Sequence, residues 1–129
     1  MLYVSAEDFY TQVANIKRLS REEEIELAKR MREGDQNAKK VLTDSYLPVL
    51  AAYIKRYANT PSLDLVYKGI ELLETSVEAF DFLYESPSPN LTFAYFLSDR
   101  VRKTVTRYIA EVQYRRCATT IQHPGRGLG

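Results

Sequence analysis

The chain has 129 residues, 45% of them hydrophobic and 27% charged, with few glycines and prolines, a balance that fits one soluble globular domain and excludes a disordered or collagen-like chain. The single cysteine, Cys117, excludes an internal disulfide. Glu7 and Asp8 stand where a signal peptide needs its apolar stretch, and no apolar run approaches the roughly 20 residues of a bilayer span, so the expectation is a cytoplasmic protein without a membrane partner. Net charge is only +1, yet residues 1–90 carry 11 basic against 15 acidic side chains and residues 91–129 carry 7 against 2, so the positive charge is concentrated at one end.

Helix signals follow one another with clear punctuation, and no run alternates as a strand does, so the fold class is all-α, a compact bundle of about five helices. Ser5 caps a short first helix that ends near Lys17 or Arg18, with Asp8 in place of the usual Glu or Gln of a capping box. Ser20 and Glu23 form a regular box in which each side chain satisfies an unpaired backbone N–H of the other residue. The helix they start stops at Gly34, a residue that tolerates positive φ. Asp35 caps a long third helix, in which Ala38, Val41, Leu42, Tyr46, Val49, Leu50, Tyr53, Ile54 and Tyr57 recur at three- and four-residue steps. Pro48 lies inside that run and costs about 3 kcal/mol in a regular helix, which predicts a kink. Asn59, Thr60 and Pro61 break the pattern, and Ser62 opens a fourth helix filled by Leu63, Val66, Ile70, Leu73, Val77 and Phe80.

Residues 85–90 form a loop by composition, since each proline turns its predecessor away from helix. Phe93, Leu97, Val101, Val105, Tyr108 and Val112 then mark the apolar stripe of a last helix, with Arg100, Arg102, Lys103 and Arg107 on its other sides. Phe93, Tyr95 and Phe96 cannot all face one core at that spacing. The domain is expected to span residues 1–117, with a flexible tail at 118–129.

The order of elements resembles the sigma-70 family of RNA polymerase sigma factors. Leu19 to Arg30, then Gly34-Asp35 and Ala38, is similar to the segment leading into that family's core domain, region 2. Leu42 through Tyr57 resembles the next helix, and Asp64-Leu65 with Gly69, Val77 and Phe80-Asp81 has the spacing of the polymerase-binding helix. Val101 to Glu111 looks like the helix that engages the promoter's minus-ten element. The likeness covers roughly residues 19–112.

What the resemblance implies can be assigned by position. Asp64, Leu65, Lys68 and Leu73 fall on the helix that docks on the coiled coil of the polymerase beta-prime subunit. Phe93 and Phe96 match aromatics of a flipped-base pocket, where each stack is worth about 1–3 kcal/mol. Arg102 and Arg107 match phosphate contacts, Thr106 lies near base edges, and Arg100 and Lys103 add cations to the same DNA-binding helix. The partners implied are core RNA polymerase, promoter DNA and a separate sigma subunit carrying a helix-turn-helix, because no such motif for the minus-thirty-five element follows here.

The departures are as specific as the matches. Asp99 and Arg100 replace adjacent tryptophans, the chain contains no Trp, and Tyr67-Lys68-Gly69-Ile70 stands for Gln-Glu-Gly-Asn. They keep two alternatives open. One is a degenerate sigma-like protein that pairs with a separate sigma subunit or occupies polymerase without melting DNA. The other is a helical DNA-binding regulator unrelated to polymerase.

Enzymatic parts are missing from the sequence. Glu22, Glu23, Glu24 and Glu26 are first-turn residues favoured by the helix dipole. His123 and Cys117 lack a partner for metal binding or nucleophilic chemistry, and no phosphate-binding glycine loop or nucleophile elbow occurs. The expectation is no catalysis, no cofactor, no metal and no small-molecule substrate.

Overall fold

The computed structural model describes residues 2–59, 62–83 and 92–121, with side chains as far as Cys117. These residues form six helices and no strand. The breaker Thr60-Pro61, the loop at 85–90 and His123 lie outside the described residues.

Helix α1 (Ala6–Val13) starts where Ser5 Oγ accepts the Asp8 N–H at 3.0 Å. The Asp8 carboxylate accepts the Val4 N–H, one residue upstream of the box position, at 3.0 Å. The helix stops at Val13, short of Lys17, and the Ile16 N–H bonds back to the Val13 carbonyl at 3.1 Å. An irregular stretch then lays Ile16 and Leu19 against the core. Helix α2 (Arg21–Arg32) has both arms of the Ser20–Glu23 box, at 2.8 and 3.1 Å. It ends before Gly34, whose φ of 97° is left-handed and suits a residue with no Cβ. Asp35 caps α3 (Gln36–Ser45) by accepting the Ala38 N–H at 3.1 Å.

The expected kink at Pro48 is a complete break. Tyr46, at φ −99° and ψ 0°, separates α3 from α4 (Leu47–Tyr57), and Pro48 sits in the first turn of the new helix. There a residue without N–H costs nothing, because first-turn donors have no partner within the helix. Helix α5 (Leu63–Ala79) begins where Ser62 Oγ accepts the Leu65 N–H at 3.2 Å. Helix α6 (Phe93–Ile121) runs past the boundary expected at residue 117.

Helix α4 is the centre of the bundle and packs against α1, α5 and α6. Its Leu50 and Ile54 are fully buried. Gly69 on α5 lets the two helices approach closely, since a Cβ there would meet Ile54 Cδ1 at 3.0 Å and Leu50 Cδ1 at 3.3 Å. A second centre is aromatic. Phe93 packs against Tyr46, Phe82 and Phe80 with ring centroids 4.6, 4.9 and 5.3 Å apart, separations at which aromatic pairs add to simple area burial.

Three tyrosine hydroxyls, those of Tyr53, Tyr57 and Tyr108, join helices. Tyr53 donates to the Ala94 carbonyl at 3.2 Å, and Tyr57 shares a 2.8 Å hydrogen bond with Ser98. Tyr108 does the same with Ser62 at 2.9 Å, so α6 is tied to both α4 and the start of α5. Tyr46 donates at 2.6 Å to Glu24, whose carboxylate is almost completely buried.

Candidate nucleic-acid and polymerase interface

Burial of one face of α6 fixes what the other face presents. Phe93, Leu97, Val101 and Val105 are each at most 4% exposed, and they occupy one stripe at four-residue steps. The opposite arc carries Tyr95, Asp99, Arg102, Lys103, Thr106 and Arg107, of which Asp99 is half-buried and the others exposed. Phe96 and Arg100 lie at its edge, both half-buried, with the Arg100 guanidinium 5.3 Å from the Phe96 ring centroid. Arg107 lines an open cleft between α5 and α6 with Lys68, Glu71 and Glu111.

The cations on this arc are not equivalent. Asp99 Oδ1 accepts from Arg102 at 2.8 Å, and Oδ2 meets Lys103 Nζ at 3.0 Å. Those hydrogen bonds, to Lys103 first and then Arg102, hold the Asp99 carboxyl below its ordinary range. Arg107 has no ion pair of this kind among the described residues.

Several residues assigned by position sit elsewhere than a binding role requires. Phe93, matched to a base pocket, belongs to the buried aromatic cluster, and its ring faces are covered by protein. On α5, Leu65 and Leu73 are 1% and 0% exposed and belong to the core, so they offer no surface to a partner. The physical reason is the same in both helices: these residues fall on the apolar stripe that the bundle closes over. What α5 does present outward is Asp64, Lys68, Glu71 and Glu74, with Tyr67 at the edge of exposure. Tyr67 is already engaged, its hydroxyl accepting the Tyr3 N–H at 2.8 Å and donating to the Tyr3 carbonyl at 3.3 Å.

Two features escape sequence reasoning. The Asp99 bridge is signalled only by its i, i+3 and i, i+4 spacing to Arg102 and Lys103. The Glu24–Tyr46 bond has no local signal, because its partners are 22 positions apart. Among the described residues, no group of His, Cys, Asp and Glu side chains could hold a metal ion, and no helix is long and apolar enough to cross a membrane.

Comparison with known proteins identifies the family. Residues 9–37, from α1 into the start of α3, match the family model for sigma-70 factor, region 1.2. That match begins ahead of Leu19, where the sequence resemblance starts. RNA polymerase sigma factor SigA of Clostridium acetobutylicum is 32% identical over 105 residues, which are 80% of this chain and 26% of that protein. The protein of the same name from a Bacillus species is 30% identical over 105 residues, with the same coverage. No solved structure matches the chain. The chain belongs to the sigma-70 family. It spans about a quarter of the length of the curated relatives it matches.

Proposed function

We propose that this chain is a region 2-type module of transcription initiation, binding promoter DNA of the minus-ten class through the outward arc of α6 and core RNA polymerase through the outward face of α5. The observation that carries the reading is the placement of Arg102, Lys103 and Arg107 on a helix whose opposite stripe is locked into the core. Cations on a rigid helix attract phosphate whatever the base sequence, and exposed aromatic faces hold unpaired bases. Tyr95, 52% exposed, and the half-buried Phe96 are the aromatics in reach of that role. On this reading the module acts by binding.

On α5 the docking residues proposed are Asp64 and Lys68, supported by Glu71 and Glu74. Charged rim contacts of this sort set partner choice and encounter rate more than affinity. Their partner would be the beta-prime coiled coil of polymerase.

A second reading is a sigma-like protein that occupies polymerase, or pairs with another sigma subunit, without melting DNA. The absence of Trp favours it, because Asp99 and Arg100 stand where an indole pair would wedge against the melted junction.

Affinity for a short single-stranded minus-ten oligonucleotide across a salt series tests the first reading. Replacing Arg102 and Arg107 together with Ala should weaken binding and flatten the salt slope by about 1.4, roughly 0.7 per lost phosphate contact. An unchanged slope with reduced affinity would place the DNA elsewhere.

A further inference from the structure

We infer that Asp99 is a built-in attenuator of anion binding by α6, holding Arg102 and Lys103 in a contact that phosphate must displace. The inference rests on the nucleic-acid role proposed for α6 and concerns how tightly that surface binds.

The geometry is specific. Each Asp99 oxygen serves one cation, Oδ1 with Arg102 at 2.8 Å and Oδ2 with Lys103 at 3.0 Å. The side chains of Arg102, Lys103 and Asp99 are 52%, 62% and 37% exposed, and ion pairs this open to water add little to stability. Their larger effect is on the field outside the helix. Arg102 and Lys103 alone would present two positive charges, but with Asp99 between them the group presents a net of one. A strand laid from Tyr95 to Thr106 has to pass the Asp99 carboxylate, one turn from each cation. Coulomb repulsion between that carboxylate and a phosphate opposes close approach.

Arg100 and Arg107 escape this control. Arg100 lies over the Phe96 ring, and Arg107 lies along the α5–α6 cleft beyond the reach of Asp99. The helix therefore has cations paired with Asp99 beside cations that Asp99 does not hold. Replacing Asp99 should release the first set and leave the second unchanged.

The test measures binding of a labelled single-stranded minus-ten oligonucleotide to the full chain across a salt series, with circular dichroism melts confirming that each variant folds. Asp99→Asn should tighten binding at low salt by about threefold, the scale of one or two exposed ion pairs. It should also steepen the salt slope by about 0.7, as one more phosphate charge is neutralised. Asp99→Glu, which keeps the charge, should bind as the wild type does. In a background of Arg102→Gln and Lys103→Gln the gain from Asp99→Asn should shrink to the part that relief of direct carboxylate–phosphate repulsion supplies, whereas a purely structural role for Asp99 would leave the gain unchanged. A wild type that binds while Asp99→Asn shows no gain overturns the inference and leaves the α6 reading standing, as does a gain in Asp99→Glu. If neither wild type nor Asp99→Asn binds at low salt, the inference and the α6 reading both fall.

Discussion

Glu24 and Tyr46 form a buried polar contact between α2 and the α3–α4 junction. Glu24, a residue 7% exposed, accepts from the Tyr46 hydroxyl at 2.6 Å, with the Arg18 guanidinium 5.0 Å from the Tyr46 ring centroid. Burial, reinforced by the neighbouring Glu24 charge, pushes the Tyr46 hydroxyl well above the ordinary tyrosine range. A folded-state pKa above the unfolded one gives stability that is complete below about pH 10 and is lost as pH rises beyond it. The urea midpoint should therefore fall above that pH, less steeply once Tyr46→Phe removes this group, with a remaining decline from Tyr3, Tyr10 and Tyr53, which burial also raises. At neutral pH, Tyr46→Phe should cost about 2 kcal/mol in urea unfolding, the usual loss when a hydrogen bond to a buried charged group is removed. Sequence reading placed Glu24 with its exposed neighbours as a dipole-favoured first-turn residue. The caps at Ser20, Asp35 and Ser62 were legible because their partners lie three residues away, whereas Glu24 finds its partner only after α2 and α3 have packed.

Between elements, the stripe pattern proved a better guide to side-chain placement than positional resemblance. Leu73 and Phe93 appeared both on apolar stripes and among inferred binding residues, and the bundle buries both. A fully buried leucine in this setting costs about 2–5 kcal/mol when truncated to Ala. Leu73→Ala should lower the urea midpoint accordingly, so loss of polymerase capture in that variant would report unfolding. Capture is better probed at the exposed Asp64 and Lys68. Exchanging them as Asp64→Lys and Lys68→Glu should weaken capture of a beta-prime coiled-coil fragment and leave the melting temperature within a few degrees of wild type. Retained capture in the pair would remove α5 from the docking surface. The α4–α5 contact gives an independent check, since Gly69→Val should destabilise by about 2 kcal/mol through overpacking against Ile54 and Leu50. The break between α3 and α4 was less legible. An unbroken apolar period ran through Pro48, and only the geometry at Tyr46 shows that a new helix begins there.

For the whole molecule, the separation of charge along the chain becomes a separation in space. The net −4 of residues 1–90 includes the acidic outward face of α5, and a net +4 lies on α6, six basic against two acidic side chains. The helical class, the order of elements and the basic character of the last helix were all readable from periodicity, capping residues and charge counts. How many of those cations are available was not, because that depends on where Asp99 points. The central claim is that the outward arc of α6 is the surface that meets nucleic acid. Its most direct test is backbone amide shift mapping of the isotope-labelled chain as a single-stranded minus-ten oligonucleotide is added at low salt. The account predicts the largest shifts at Tyr95, Arg102, Lys103, Thr106 and Arg107, fading as salt is raised. Shifts confined to α2 and α3, with α6 unmoved, would contradict it.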